Sequence, residues 1–207
     1  MVGTLCVRWT VIPTVAPQPL LACPRCGDVT PFQSRDKVRL NAQGKRVDAW
    51  LIYGCAVCGK TWNRPILERR PVRDVEPDLL HALQANDADR VRALAFDLHG
   101  LRRYARHVTE PADVDARKRV LSAGPQPWSD LRIEFEVPFP LSARTDRLLA
   151  VTLSLSRSRI QRLETDGCLR LLPRRRRGLR LPVADGLQIG IDLRDLADGQ
   201  DLARAAI

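Results

Sequence analysis

Two short cysteine pairs constrain this chain more than any other feature. Cys23-Pro24-Arg25-Cys26-Gly27 and Cys55-Ala56-Val57-Cys58-Gly59 repeat one pattern, C-x-x-C-G, with 28 residues between them. Two residues between cysteines make a tight knuckle that points both sulfurs at one centre, and the glycine after each pair relieves crowding where the backbone turns toward them. Four thiolates about 2.3 Å from a central ion, in a tetrahedron, is the arrangement of structural zinc. Such a centre has no open position, so one zinc held by Cys23, Cys26, Cys55 and Cys58 is expected to be structural and not catalytic. Disulfides compete for the same cysteines but are disfavoured in a reducing compartment. A redox C-x-x-C needs a single pair beside a βαβ unit, and two matched pairs argue against it. Cys6 and Cys168 stand alone.

The residues between the pairs read as a small antiparallel module. Val38-Arg39-Leu40 and Val47–Tyr53 are expected strands, with a turn at Asn41-Ala42-Gln43-Gly44 and a third short strand at Thr61-Trp62-Asn63. This is the plan of a zinc ribbon. Taken alone it is too small to stand on core burial, so zinc would supply on the order of 10 kcal/mol of its folding energy. Arg35, Lys37, Arg39, Lys45 and Arg46 surround the hairpin, where they either contact phosphates or form a solvated face.

Charge divides the chain into three. The net charge is +10, with 34 basic and 24 acidic side chains, and only four of the basic residues are lysine. Residues 1–70 carry +7, residues 71–139 carry −2 and residues 140–207 carry +5. A strong positive balance points to a polyanionic partner, usually nucleic acid, and is silent about fold. With 44% hydrophobic residues the chain can bury a core, and no stretch approaches the 18 apolar residues of a membrane span. The apolar segment Thr10–Ala22 is broken by Pro13, Pro17 and Pro19, which disfavours the helix of an export signal. The chain is therefore expected in the cytoplasm, where thiols stay reduced.

The middle third reads as helical. Glu76-Pro77 opens one helix, and Asn86 or Asp87 caps a second in which Val91, Leu94, Ala95 and Leu98 share a face. Arg102, Arg103 and Arg106 extend its far end, and a short helix is expected over Asp113–Ser122. Leu131, Ile133, Phe135 and Val137 then alternate with charged residues as a half-buried strand.

Arginine gathers again in the last third. Arg144–Ala150 opens a short amphipathic helix carrying Arg144 and Arg147. A second helix follows Leu155, with Ser158 and Gln161 forming a capping-box pattern and Ser156 an alternative cap; Arg157, Arg159 and Arg162 lie at its start. Asp166-Gly167 ends it. Strands are expected over Cys168–Leu172, Leu179–Val183 and Leu187–Leu193, joined by the loop Arg174-Arg175-Arg176-Arg177 and the Asp185-Gly186 turn. Free backbone N–H groups and guanidinium forks at one serine-arginine turn suit phosphate oxygens.

On Arg144-x-Asp146-x-x-Leu149, Ser156-Arg157-Ser158, Leu163, Asp166-Gly167 and Asp185-Gly186-Leu187-Gln188-Ile189, residues 140–193 resemble the RNA-binding domain named after small-subunit ribosomal protein four, the αL motif. Two departures are Leu171-Leu172-Pro173 with the arginine run, where that family has Val-Asn-Gly, and a closing Asp-Gly in place of Gly-Asp. The resemblance implies binding of structured RNA, ribosomal RNA or tRNA, through Arg144, Arg147, Ser156, Arg157, Ser158, Arg159, Arg162 and Arg174 to Arg177, with the ribosome as a candidate assembly. Across most of its length the chain also resembles a bacterial domain-of-unknown-function family, ten-sixty-two, on Cys23-Pro24-Arg25-Cys26, Lys45–Tyr53, Thr61-Trp62-Asn63 and Ala95-Phe96-Asp97. That resemblance brings no activity with it.

The expected architecture is therefore α+β: a zinc ribbon over 1–72, a helical linker over 73–126 and an αL-motif domain over 127–207. Leu148–Leu163 also fits a DNA-binding helix-turn-helix, so a transcriptional regulator with a zinc ribbon is the alternative. No catalytic triad, phosphate loop or paired catalytic carboxylates have persuasive spacing, and His81, His99 and His107 share no ligand spacing. Neither an enzyme nor a small-molecule substrate is expected.

Overall fold

The computed structural model describes residues 3–110, 113–173, 176 and 178–207. It is a mixed α/β structure with two five-stranded sheets and six α-helices. None of the described helices is long and apolar enough to cross a membrane.

The first element is strand β1 (Gly3–Pro13). Leu5, Val7, Trp9 and Val11 are fully buried, while Cys6, Arg8, Thr10 and Ile12 alternate with them, the period-two pattern of a strand covered on one face. β1 belongs to a compact unit made of Met1–Thr14 and Ala112–Ile207, and Val15–Pro111 forms a second unit. The boundaries expected at 72/73 and 126/127 thus fall inside these units.

The unit Val15–Pro111 is built on an antiparallel sheet. Its strands are β2 (Gln18–Ala22), β3 (Val29–Gln43), β4 (Arg46–Cys55), β5 (Thr61–Pro71) and β6 (Val108–Thr109), in the spatial order β5-β4-β3-β2-β6. Gly44, at φ +61°, allows the tight β3–β4 turn. The third strand runs well beyond the expected Thr61-Trp62-Asn63. Helices α1 (Pro77–Ala85), α2 (Ala88–Ala95) and α3 (Leu98–Arg102) belong to the same unit. Pro77 occupies the first turn of α1, and the Asp87 carboxylate caps α2 by accepting from Arg90 N at 2.8 Å. Asp97 caps α3 through Gly100 N at 2.9 Å, so the expected second helix is split before Leu98. Leu83, Val91, Ala95 and Leu101 pack with Val38, Ala49, Leu51 and Tyr53 into one buried cluster that also holds Cys23 and Cys55. The core around the cysteines is thus larger than a ribbon alone would own.

The other unit pairs β1 with strands from the far end of the chain. β7 (Val114–Ala123) lies antiparallel to β1, and β8 (Trp128–Glu136) lies parallel to it. β9 (Leu169–Leu172) and β10 (Gln188–Asp192) complete the order β7-β1-β8-β10-β9. Helices α4 (Thr145–Thr152), α5 (Arg157–Thr165) and α6 (Gly199–Ala205) supply Leu148, Leu149, Ile160, Leu163 and Leu202 to the core over this sheet. The indole of Trp9 donates to Ala206 O at 2.9 Å, fastening the end of α6 to β1.

Two local expectations are corrected. Asp113–Ser122 is not a helix but strand β7. Its sequence is rich in charged helix-compatible residues, yet it takes its backbone partners from β1, and Val114, Ala116 and Lys118 alternate as its less exposed side. Leu179–Val183 is not a strand either: Gly178–Arg180 forms a 3-10 turn, and only one bridge, Arg144 with Pro182, follows. Proline has no N–H to continue a ladder.

Candidate functional site

The two cysteine knuckles are local copies of one another. Gly27 N donates to Cys23 O and Gly59 N to Cys55 O, each at 2.9 Å. Cys23 N donates to Asp28 O and Cys55 N to Lys60 O, again at 2.9 Å. Gly27 and Gly59 sit at φ +77° and +74°, the left-handed region that closes each knuckle at little cost only for glycine. Antiparallel pairing sets Phe32 against Cys55, which delivers the second knuckle to the first. Arg25 Nη1 reaches across to Cys58 O at 3.3 Å.

The four sulfurs of Cys23, Cys26, Cys55 and Cys58 lie within 4.8 Å of one another and could hold a metal ion. Cys23 Sγ is 3.5 Å from Cys58 Sγ, and Cys26 Sγ is 3.8 Å from Cys55 Sγ. These separations are far beyond a disulfide bond, and all six cysteines are free. Thr30, which sequence reasoning missed, places its hydroxyl 3.2 Å from Cys55 Sγ in buried surroundings. That hydroxyl, with the N–H groups of Cys58 and Val57, outweighs burial and draws the Cys55 thiol down to about 6. Burial opposes ionisation of Cys23, but the N–H groups of Cys26 and Arg25 and the neighbouring thiols bring it below its ordinary value. The Cys58 contact, then burial, push Cys26 up to about 12. Without a cation the cluster therefore resists losing all its protons, and a divalent ion removes that resistance.

The second candidate surface is the α4–α5 turn. Ser154, at φ +55°, takes the left-handed position after α4, and Leu155 N donates back to Ala150 O at 2.8 Å. Ser156, not Ser158, caps α5, its hydroxyl accepting from Arg159 N at 3.1 Å. Asp146 is buried at 1% exposure and binds Arg144 in a fork, with Nε–Oδ1 at 3.0 Å and Nη2–Oδ2 at 2.6 Å. Arg157 Nη2 approaches the same carboxylate at 3.9 Å. One carboxylate thus fixes the Arg144 guanidinium and lies near that of Arg157, and both arginine side chains remain about half exposed. Nothing in the residue spacing distinguishes this clamp from an ordinary surface ion pair; burial does.

The remaining arginines divide. Arg147 is exposed and 4.0 Å from Asp113. Arg159 is held by Asp198 at 3.0 Å, which gives it a structural tie across 39 residues. Arg162 and Ser158 are exposed on α5, and Arg176 is exposed after β9. Arg174, Arg175 and Arg177 lie outside the described residues.

Residues 40–175 match the family model described as "Protein of unknown function (DUF1062)", and the chain belongs to this family. No curated protein and no solved structure matches the chain.

Proposed function

We propose that this member of the family is a non-enzymatic, cytoplasmic protein that binds structured RNA, ribosomal RNA or tRNA, through an αL-motif-like α4–α5 surface. In this reading one structural zinc sits on Cys23, Cys26, Cys55 and Cys58 in a zinc ribbon. Sulfurs about 2.3 Å from a tetrahedral zinc are separated by about 3.8 Å, and the two short sulfur pairs at 3.5 and 3.8 Å fit that spacing.

The observation that carries the RNA reading is the Asp146 clamp. Arg144 is held ready by its fork to Asp146 beside the capped start of α5, with Arg157 3.9 Å from the same carboxylate, so much of the Arg144 ordering entropy is spent in folding and not on binding. A helix N-terminus with its exposed N–H groups adds a second phosphate ligand there. Arg147, Arg162 and Arg176 extend the positive rim.

The test is binding of the full chain to tRNA and to a structured ribosomal RNA fragment, read by fluorescence anisotropy between about 50 and 200 mM salt. Replacing Arg147, Arg157 and Arg162 together by Ala leaves the Asp198 tie and the Arg144–Asp146 fork in place. It should weaken binding and flatten the salt dependence by roughly two to three phosphate contacts. Unchanged affinity rejects the reading. Tight preference for one duplex DNA sequence replaces it with the helix-turn-helix alternative.

A further inference from the structure

The sheet of the Val15–Pro111 unit has two unlike faces. Ala49, Leu51 and Tyr53 on β4 point into the buried cluster under the helices. By strand alternation Asp48, Trp50 and Ile52 point the other way. Trp50 stays half-buried outside the cluster to which both its chain neighbours belong. Trp62, by contrast, is packed against Phe32, Tyr53 and Tyr104. Arg39 pairs directly with Trp50 across β3–β4 and is exposed, so a cation and an indole stand side by side on the outward face.

Farther along this sheet the cations multiply. Arg46 pairs with Pro71 and Val47 with Arg70, and Val72 N donates to Lys45 O at 2.9 Å. This brings residues 45–46 against 69–73, gathering Lys45, Arg46, Arg69, Arg70 and Arg73 at the hairpin end. All five are exposed. Of the nearby acids, Asp48 Oδ1 accepts from Arg69 N at 2.7 Å and Asp74 lies 3.5 Å from Arg73, while Glu68 is exposed, so the cations outnumber the acids five to three. The Asp48 contact steadies Arg69, whose φ of +45° is left-handed, and so fixes the shape of this end. The cation cluster lies at the opposite end of β4 from Cys55, roughly 30 Å away at strand rise.

We propose that this outward face docks a single-stranded stretch of RNA, with a base stacked on Trp50 and the phosphate backbone tracked by Arg39, Arg46 and, at the hairpin end, Lys45 and Arg73. The inference rests on the RNA-binding reading above and adds a second, separate contact surface to it. A half-buried indole on the outward face beside an arginine offers a π-face that accepts any base, with cations that neutralise its flanking phosphates, the combination that single strands need. A purely acidic protein surface would use the cations and leave the indole unstacked.

The experiment uses the full, metal-loaded chain and two labelled probes: an unstructured 12-nucleotide RNA and a tRNA. Trp50→Ala should weaken binding of the 12-mer about 5- to 100-fold, and Trp50→Phe should restore most of it. Neutralising Lys45, Arg46 and Arg73 to Ala should lower the salt slope by about 2. Circular dichroism and metal content of each variant check that it is folded. If the folded Trp50 and cation variants bind the 12-mer within twofold of wild type, the inference is overturned, even where the Arg147, Arg157 and Arg162 variant loses tRNA. Loss of the 12-mer in the Trp50 variant, with tRNA binding untouched by the α4–α5 substitutions, upholds this surface and rejects the α4–α5 one. A wild-type chain that binds neither probe overturns both.

Discussion

Replacing Arg64 by Met should loosen the helical layer of the Val15–Pro111 unit by about 2–3 kcal/mol. Arg64 lies on β5 with its side chain 3% exposed. Its Nη1 donates to Leu94 O, near the end of α2, and its Nη2 to Asp97 Oδ2, the cap of α3, both at 2.7 Å. One guanidinium therefore joins the sheet to two helix ends. Two charge-assisted hydrogen bonds contribute about 3–6 kcal/mol together. Three features lower that figure. Leu94 O keeps a backbone donor, Asp97 N, at 3.3 Å. The Asp97 side chain is 43% exposed, so water can rehydrate it. The buried Arg64 Nε has no hydrogen-bond partner among the described residues, so its loss relieves about 1 kcal/mol or more. Methionine fills a similar volume, which keeps the cavity cost small.

At 2–3 kcal/mol, amide exchange over residues 88–102 should quicken roughly 30- to 150-fold at constant intrinsic rate, read by mass spectrometry on the full chain. Peptides from β7 to β10 should be unaffected. Acid offers a second reading. Burial opposes ionisation of Asp97, but Gly100 N–H and Arg64 outweigh it and hold the carboxyl below its ordinary value of 3.8. A depressed folded pKa contributes stability that is present above the unfolded value and lost as pH falls through the folded one. The Arg64→Met variant lacks the Arg64 share, so it should lose less stability than wild type below about pH 4. Equal exchange over 88–102 in both proteins, or a steeper acid loss in the variant, would refute the argument.

Metal analysis should find one zinc per chain, absent in Cys55→Ser; a folded, metal-free wild type would remove the zinc assignment. Ser154→Gly should stabilise by up to about 1 kcal/mol in urea unfolding, because Ser154 bears the steric cost of φ +55°, and Ser154→Val should destabilise. Trp9→Phe should cost about 2–3 kcal/mol from the lost indole bond to Ala206 O and the smaller ring, with early exchange of residues 199–206; an unchanged urea midpoint would contradict it.

What the sequence revealed is what is local. The knuckles, the β3–β4 hairpin, the Pro77 start of α1, the serine cap of α5 and the alternating β8 each show their cause within about ten residues. Apart from the local breaks at Asp97 and Pro182, the failures have one source, partners far along the chain. The apolar run Thr10–Ala22 drew a comparison with an export signal, which its prolines disfavour, and the alternation of Leu5, Val7, Trp9 and Val11 just before and into it went unread. With β1 unseen, Val114–Ala123 had no visible partner, and its arginines and lysine read as helix. At the site, the arginine cluster was legible as composition. Its sorting into clamped, tied and exposed members depends on the burial of Asp146 and on Asp198, neither of which spacing reveals.

The pairing of Pro13 with Val114 has a consequence for synthesis. An antiparallel pair holds its Cα atoms about 5 Å apart, yet a hundred residues are translated between these two. At 5–20 residues per second, β1 emerges and then waits about 5–20 s before its first neighbour exists. During that interval the whole Val15–Pro111 segment, cysteines included, leaves the ribosome. Its β2–β5 strands pair mainly with near neighbours in sequence, so it can bring its four cysteines together and close its core first. The apolar face of Leu5, Val7, Trp9 and Val11 meanwhile stays open to solvent or to a chaperone. The earliest strand made is thus among the last to be satisfied, and the order of folding runs against the order of translation.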